Sequence, residues 1–203
     1  VYVGIMWTGL GRIQWAVALL AAILGGALWG MVPGFLKACF NVNEVISCIM
    51  LNWISLYVVN MLLTQVKSES TPYTVDLSSG NKSALLPNCG LDQIFSGNKF
   101  VSIGLIISVV MAIVVWVLLE KTKFGFELRA TGMNKNAAKY CGMKEKRNTI
   151  VTMMIAGGLA GLGAAVFYLS GIETWMVQQT TVPGMGFNGI AAAFLGGLNP
   201  IGA

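Results

Sequence analysis

The sequence predicts an all-α fold: a polytopic transmembrane helical bundle of about four full spans, followed by a broken, glycine-rich C-terminal helix. Three observations predict it. No Asp, Glu, Lys or Arg occurs between Arg12 and Lys37, Glu44 and Lys67, Lys99 and Glu120, or Arg147 and Glu173. Each window reaches the about 20 apolar helical residues that cross a hydrocarbon core of about 30 Å. A single Lys or Asp at mid-span would cost about 2.5–3.5 kcal/mol. Secondly, hydrophobic residues make up 56% of the chain and charged ones 10%, where a soluble domain carries about 25% charged residues. Thirdly, the charges are gathered between the apolar windows.

That gathering orients the chain. Glu120–Arg147 holds Lys121, Lys123, Arg129, Lys135, Lys139, Lys144, Lys146 and Arg147 against Glu120, Glu127 and Glu145, and this surplus equals the whole formal net charge of +5. The other polar segment, Lys67–Lys99, balances Lys67, Lys82 and Lys99 with Glu69, Asp76 and Asp92. Cytoplasmic loops carry the Lys/Arg excess, so residues 120–147 are expected inside and 67–99 outside. A basic loop between two spans reads as a topology signal rather than a nucleic-acid surface.

The elements follow in order. Ile13–Val32 runs inward, and Pro33–Asn43 makes a short cytoplasmic connection. Val45–Val66 runs outward to the external loop. Phe100–Leu119 returns inward, and Thr149–Gly171 runs outward again. Glu173–Gly184 is then external, and Gly186–Leu198 turns back as a short helix broken by Gly and Pro. Residues 1–203 form one membrane domain. With Val1 outside and Thr174–Ala203 uncharged, the chain reads as part of a longer subunit.

Glycine spacing concerns packing. Gly157 and Gly161 form a GxxxG step, Ala160 and Ala164 repeat the spacing on a neighbouring face, and Gly25, Gly26 and Gly30 mark the first span. Small residues let helix backbones approach closely in lipid, so packing is the expected role. Gly184–Gly189 also matches GxGxxG, but that fingerprint has meaning only after a strand in a βαβ unit. A glycine-rich break at the membrane boundary suits it better.

Several chemistries lack their residues. The chain has no histidine, which removes His-based nucleophilic catalysis and His metal sites. No acid pair lies in a span to relay protons or sodium, and no GxxxxGK[ST] is present. Cys39, Cys48, Cys89 and Cys141 form no CxxC pair, so neither a disulfide framework nor a metal site is expected. Asn81-Lys82-Ser83 is a three-residue sequon match, read as chance. No catalytic residue, metal or cofactor is assigned.

The cytoplasmic loop carries the most specific local signal. Asn134 is a plausible N-cap, Lys135–Cys141 a two-turn helix, and Gly142 its left-handed C-terminal residue. Ala137, Ala138 and Cys141 would make a small-residue face, with Lys135 and Lys139 beside it. Two readings stand on these residues alone: a short helix docking into a groove of another protein, or a basic loop lying on anionic lipid headgroups. Within Val45–Val66, Cys48, Asn52 and Ser55 recur at helical spacing, with Asn60 about a quarter-turn away. This polar stripe either lines a solute pathway or makes interhelical hydrogen bonds.

The run KFGFELRATGMNKNAAKYCGM, and Phe124–Gly142 within it, closely resembles the coupling loop of permease subunits of bacterial ABC importers. PGFLKACFNVNEVISCIMLNWI (Pro33–Ile54) and GMGFNGIAAAFLGGLNPIGA (Gly184–Ala203) are similar to other stretches of the simple-sugar, branched-chain amino acid and nucleoside permeases, the nucleoside branch most of all. The resemblance implies a non-catalytic permease subunit of the bacterial plasma membrane. It implies that Gly125, Glu127, Arg129, Gly132, Asn134, Ala137, Ala138, Cys141 and Gly142 meet a separate ATP-binding subunit. A second permease subunit and an external solute-binding lipoprotein would be further partners, with membrane lipid around them. If the Cys48, Asn52 and Ser55 stripe lines the pathway, it offers amide and hydroxyl groups and no fixed charge, which suits a neutral polar solute. The resemblance then puts nucleosides first, pentose sugars next and branched-chain amino acids third. A secondary transporter or channel is the rival from another class, since its broken helices would also be glycine-rich.

Overall fold

The computed structural model describes residues 13–66, 72–74, 85–87, 103–171, 173–200 and 202. Among them are seven α-helices: α1 Gln14–Phe40, α2 Glu44–Leu63, α3 Ile103–Lys121, α4 Lys123–Met133, α5 Lys135–Tyr140, α6 Glu145–Leu169 and α7 Met185–Leu195. A 3-10 turn, Thr64–Val66, extends α2. Helices α1, α2, α3 and α6 are long and apolar enough to cross a membrane, and α7 is a shorter apolar helix. The chain is a helical membrane protein. Cys89, the Asn81 sequon and most of the 67–99 segment lie outside the described residues.

The bundle is organised around α1 and α6. Gly26 and Gly30 of α1 face Gly157 and Gly161 of α6 so closely that side chains would collide with backbone. A Cβ on Gly30 would lie 2.6 Å from the Met153 carbonyl oxygen and 2.9 Å from Gly157 Cα. One on Gly26 would lie 3.1 Å from Gly161 Cα. The spacing expected to serve packing does so at these four glycines, whereas Gly25 has nothing within 4 Å. At one end of the pair, Ala18, Leu19, Ala165 and Leu169 bury one another with Leu86, and Ile103 and Ile107 of α3 lean on the cluster. Further along, α3 stands off from the pair, leaving an apolar gap of about 230 Å³ between Ile23, Met111 and Leu159.

One expectation is corrected. Helix α1 does not stop at Pro33 but continues through it to Phe40. Proline in a helix removes one backbone hydrogen bond, yet Pro33 and Gly34 are buried, and Gly34 sits against Ile150 and Met153 of α6. Contact with α6 holds the helical path that local propensity opposes. At 27 residues, α1 is about 40 Å long, so it projects beyond the hydrocarbon. The connection to α2 is therefore only Asn41-Val42-Asn43. Asn41 ends α1 in the left-handed conformation (φ 55°), its N–H donating to the Lys37 carbonyl. The Asn43 side chain caps α2 by accepting from the Val45 N–H at 2.9 Å, and a Lys37–Glu44 ion pair closes the turn.

The two ends of the bundle differ in construction. One gathers the 41–43 turn, α4, α5 and the start of α6. The other gathers the end of α2, the end of α6 and short extended segments. There, Leu86 N–H donates to the Leu169 carbonyl, Thr74 N–H to Trp175, and Val177 N–H to Pro72. The long helices alternate between these ends in the order that the charge pattern predicts.

Candidate functional site

Among the described residues, the α4–α5 unit concentrates capping and side-chain hydrogen bonds. Thr122 starts α4: its hydroxyl accepts from the Gly125 N–H at 3.1 Å, an N-cap of the kind worth about 1 kcal/mol. Gly125 permits the sharp α3–α4 corner, because a Cβ there would lie 2.6 Å from Leu119 Cα. Arg129 reaches back to Glu120 at 2.7 Å, an exposed pair across the same corner. Further along α4, the Thr131 hydroxyl accepts from the Asn148 side-chain amide at 3.1 Å, and both residues are buried. This bond ties α4 to α6 and so to the glycine-packed frame.

Helix α5 has the caps expected of it. Asn134 Oδ1 accepts from the N–H groups of Asn136 and Ala137, each at 3.1 Å. Gly142 follows in the left-handed conformation, φ 77°. The helix ends at Tyr140, with Cys141 as its cap, one residue before the expected end. The face it presents differs from expectation. Ala138 is only 3% exposed, because α5 lies on α4 and the start of α6 and turns this residue inward. Ala137 and Cys141 remain exposed, joined by Tyr140 at 93% and Met133 at 88% exposure. Gly132 and Asn134 are also exposed, and Glu127 is half-buried.

Sequence reasoning missed α4 as a helix, and it missed Tyr140 and Met133 as outward apolar residues. Thr122, three residues before Gly125, was the available N-cap signal. Two large apolar side chains in a basic loop were the other.

The polar stripe of α2 does not converge on one cavity. Asn52 is exposed and Cys48 partly buried. The Ser55 hydroxyl donates to the Asn52 carbonyl of its own helix at 3.0 Å. Asn60 makes long-range contacts: its amide nitrogen donates to the Gln179 carbonyl at 2.9 Å, and its oxygen accepts from Trp175 Nε1 at 3.0 Å. Asn60 thus anchors the 173–179 segment to the end of α2. Beside that segment lies an open cavity of about 480 Å³, bordered by Tyr73, Phe167 and Tyr168 and by Gln178, Gln179 and Thr181.

Comparison with known proteins gives these arrangements a context. Residues 1–203 match the family described as "Branched-chain amino acid transport system / permease component". The chain is 37% identical over 202 residues to the guanosine ABC transporter permease protein NupP of Bacillus subtilis, covering 100% of this chain and 57% of that one. It is 35% identical over 191 residues to the nucleoside ABC transporter permease protein NupB of Lactococcus lactis, covering 90% and 51%. The glucose ABC transporter permease protein TsgB13 of Haloferax volcanii is 27% identical over 201 residues, covering 94% and 52%. The chain spans about half the length of the curated relatives it matches. No solved structure matches it significantly. The chain belongs to the branched-chain amino acid transport system permease family.

Proposed function

We propose that this chain forms part of the solute pathway of an ATP-driven importer in the bacterial plasma membrane, and that the solute is a nucleoside. The observation that carries the reading is the α4–α5 unit, a capped, hydrogen-bonded platform fixed to α6 through Thr131 and Asn148. A separate ATP-binding subunit docks on its exposed face at Ala137, Tyr140, Cys141 and Met133. Because the platform is bonded to α6, and α6 meets α1 backbone to backbone, a push on α5 moves both spans together. The permease performs no covalent chemistry. Its work is to expose the pathway alternately to the two sides.

The basic end, residues 120–147, is cytoplasmic on this reading, and the 67–99 and 173–183 segments are external. A second permease subunit completes the pathway, and an external binding protein delivers solute. The similarity to guanosine and nucleoside permeases supports the choice of solute. The outer cavity is consistent with it, offering aromatic faces and amides.

The test is competitive uptake of labelled uridine by the complete transporter against excess guanosine, ribose or leucine. Competition by guanosine alone is expected. Saturable ribose or leucine uptake without uridine uptake contradicts the nucleoside assignment. Uptake that continues without any ATPase subunit contradicts the importer reading in favour of a secondary transporter or channel.

A further inference from the structure

Where α4 passes the start of α6, a cavity of about 670 Å³ opens at the basic end of the bundle. Three cations, Lys123, Lys144 and Arg147, line it, with Glu127 as the single acid. Among the described residues none of these four belongs to an ion pair, the pairs present being Lys37–Glu44 and Arg129–Glu120. Lys123, Lys144 and Arg147 are exposed, so the excess of two positive charges is available to a ligand. Phe124, Phe126 and Met143 line the same cavity, and Phe126 is 60% exposed. The height of the cavity in the bundle is fixed by its neighbours, since α3 ends at Lys121 and α6 begins at Glu145. With α3 and α6 crossing the bilayer as spans, their charged ends would set the cavity at the level of the headgroups.

We propose that this cavity binds the phosphate-bearing headgroup of an anionic phospholipid of the inner leaflet. The phosphate sits among Lys123, Lys144 and Arg147, and the first acyl carbons lie along Phe126. A basic pocket beside transmembrane helices suits such headgroups, each Lys or Arg contributing about 1 kcal/mol. A free phosphate ion would satisfy the cations but leave the phenyl rings and most of the volume without a partner. The site shares Cys141 and Gly142 with the edge of the docking platform, so a lipid held here would steady the α4–α6 corner beside the docked subunit. The inference rests on the cytoplasmic placement of this end, but its test reads lipid binding, which does not depend on transport.

The complete transporter is purified with its partner subunits and incubated with phosphatidylglycerol or phosphatidylcholine, and retained lipid is measured by native mass spectrometry. Preferential retention of phosphatidylglycerol is expected. The K144Q/R147Q double variant should lose it roughly 25-fold, about fivefold for each neutralised cation. K146Q, whose lysine does not line the cavity, should retain it. If the double variant fails to fold, Lys123→Gln at the exposed rim repeats the test with a loss of about fivefold. Equal retention by parent and variants overturns the proposal. Displacement of the lipid by millimolar inorganic phosphate also overturns it, assigning the site to the free anion. Retention by the permease alone that vanishes when the ATPase subunit joins assigns the cavity to that protein, with the same consequence.

Discussion

Helices α1 and α6 meet backbone to backbone through Gly26, Gly30, Gly157 and Gly161, whereas the polar contacts that hold α2 lie at its two ends. Between those ends α2 presents Ile46, Met50, Trp53, Tyr57 and Met61 outward. In lipid, apolar side chains gain little by meeting one another, so association depends on close van der Waals approach and on hydrogen bonds. The α1–α6 pair uses the first device and α2 the second, through Lys37–Glu44 at one end and Asn60 with Trp175 at the other. The difference identifies a rigid frame, α1 with α6, and a span whose long face is left for lipid or another subunit. The α4–α5 unit is bonded to the frame through Thr131 and Asn148, and on the proposed reading a force from an ATP-binding subunit would arrive there.

This contrast can be broken first at its tightest point. Gly157→Leu drives a side chain into the α1 backbone, where Gly30 Cα is 2.9 Å from the new Cβ. Overpacking typically costs about 1–3 kcal/mol, and here only backbone can yield, so we expect loss of the folded subunit in a detergent thermal-stability assay. Gly163→Leu, at a position with nothing within 4 Å, should be nearly neutral. Equal damage from both would dissolve the distinction between frame and surface.

The next largest effect separates the two alanines of the platform. Ala137→Glu places a charge on the exposed face of α5 and should abolish transport and solute-stimulated ATPase activity while the subunit still folds and inserts. Ala138→Glu should instead lower the folded yield, because Ala138 is buried. Normal transport by Ala137→Glu, with the ATPase subunit present, would remove α5 as the docking helix.

A smaller effect tests the tie between platform and frame. Thr131→Val leaves the buried Asn148 amide without its acceptor, at a cost of about 1–3 kcal/mol. The melting temperature should fall, and ATP hydrolysis should become less coupled to uptake. Unchanged coupling at reduced stability would make the bond structural only. Smallest of all, Asn52→Leu on the exposed face of α2 should change stability by no more than about 0.5 kcal/mol. A fall in uptake at unchanged stability would place Asn52 on the pathway, and loss of the assembled complex would make it an interhelical contact.

What the sequence disclosed and what it hid divide along the range of the forces involved. Four spans were legible because a charge in hydrocarbon is prohibitive, which leaves long uninterrupted windows. Asn134 and Gly142 were legible because capping is decided within a few residues. Pro33 misled because its local preference to end a helix is overridden by Ile150 and Met153, more than 110 positions away. Ala138 misled for a related reason: which side of α5 turns inward is decided by α4, a helix that local reading treated as loop. Asn60 looked like a neighbour of the α2 stripe, yet its partners are Trp175 and Gln179, contacts that no spacing within α2 can disclose.

The central claim is that the exposed face of α5 is where an ATP-binding subunit transmits its movement to the frame. Tyr140 is the residue to report on it, being 93% exposed and outside the basic cavity. A Tyr140→Cys variant, with the four native cysteines replaced, would be treated with a membrane-impermeant maleimide from either side, with and without the ATPase subunit. Labelling from the cytoplasmic side only, strongly reduced when the ATPase subunit is assembled, is the predicted result. Labelling from the external side, or labelling at an unchanged rate in the assembled transporter, would contradict the account.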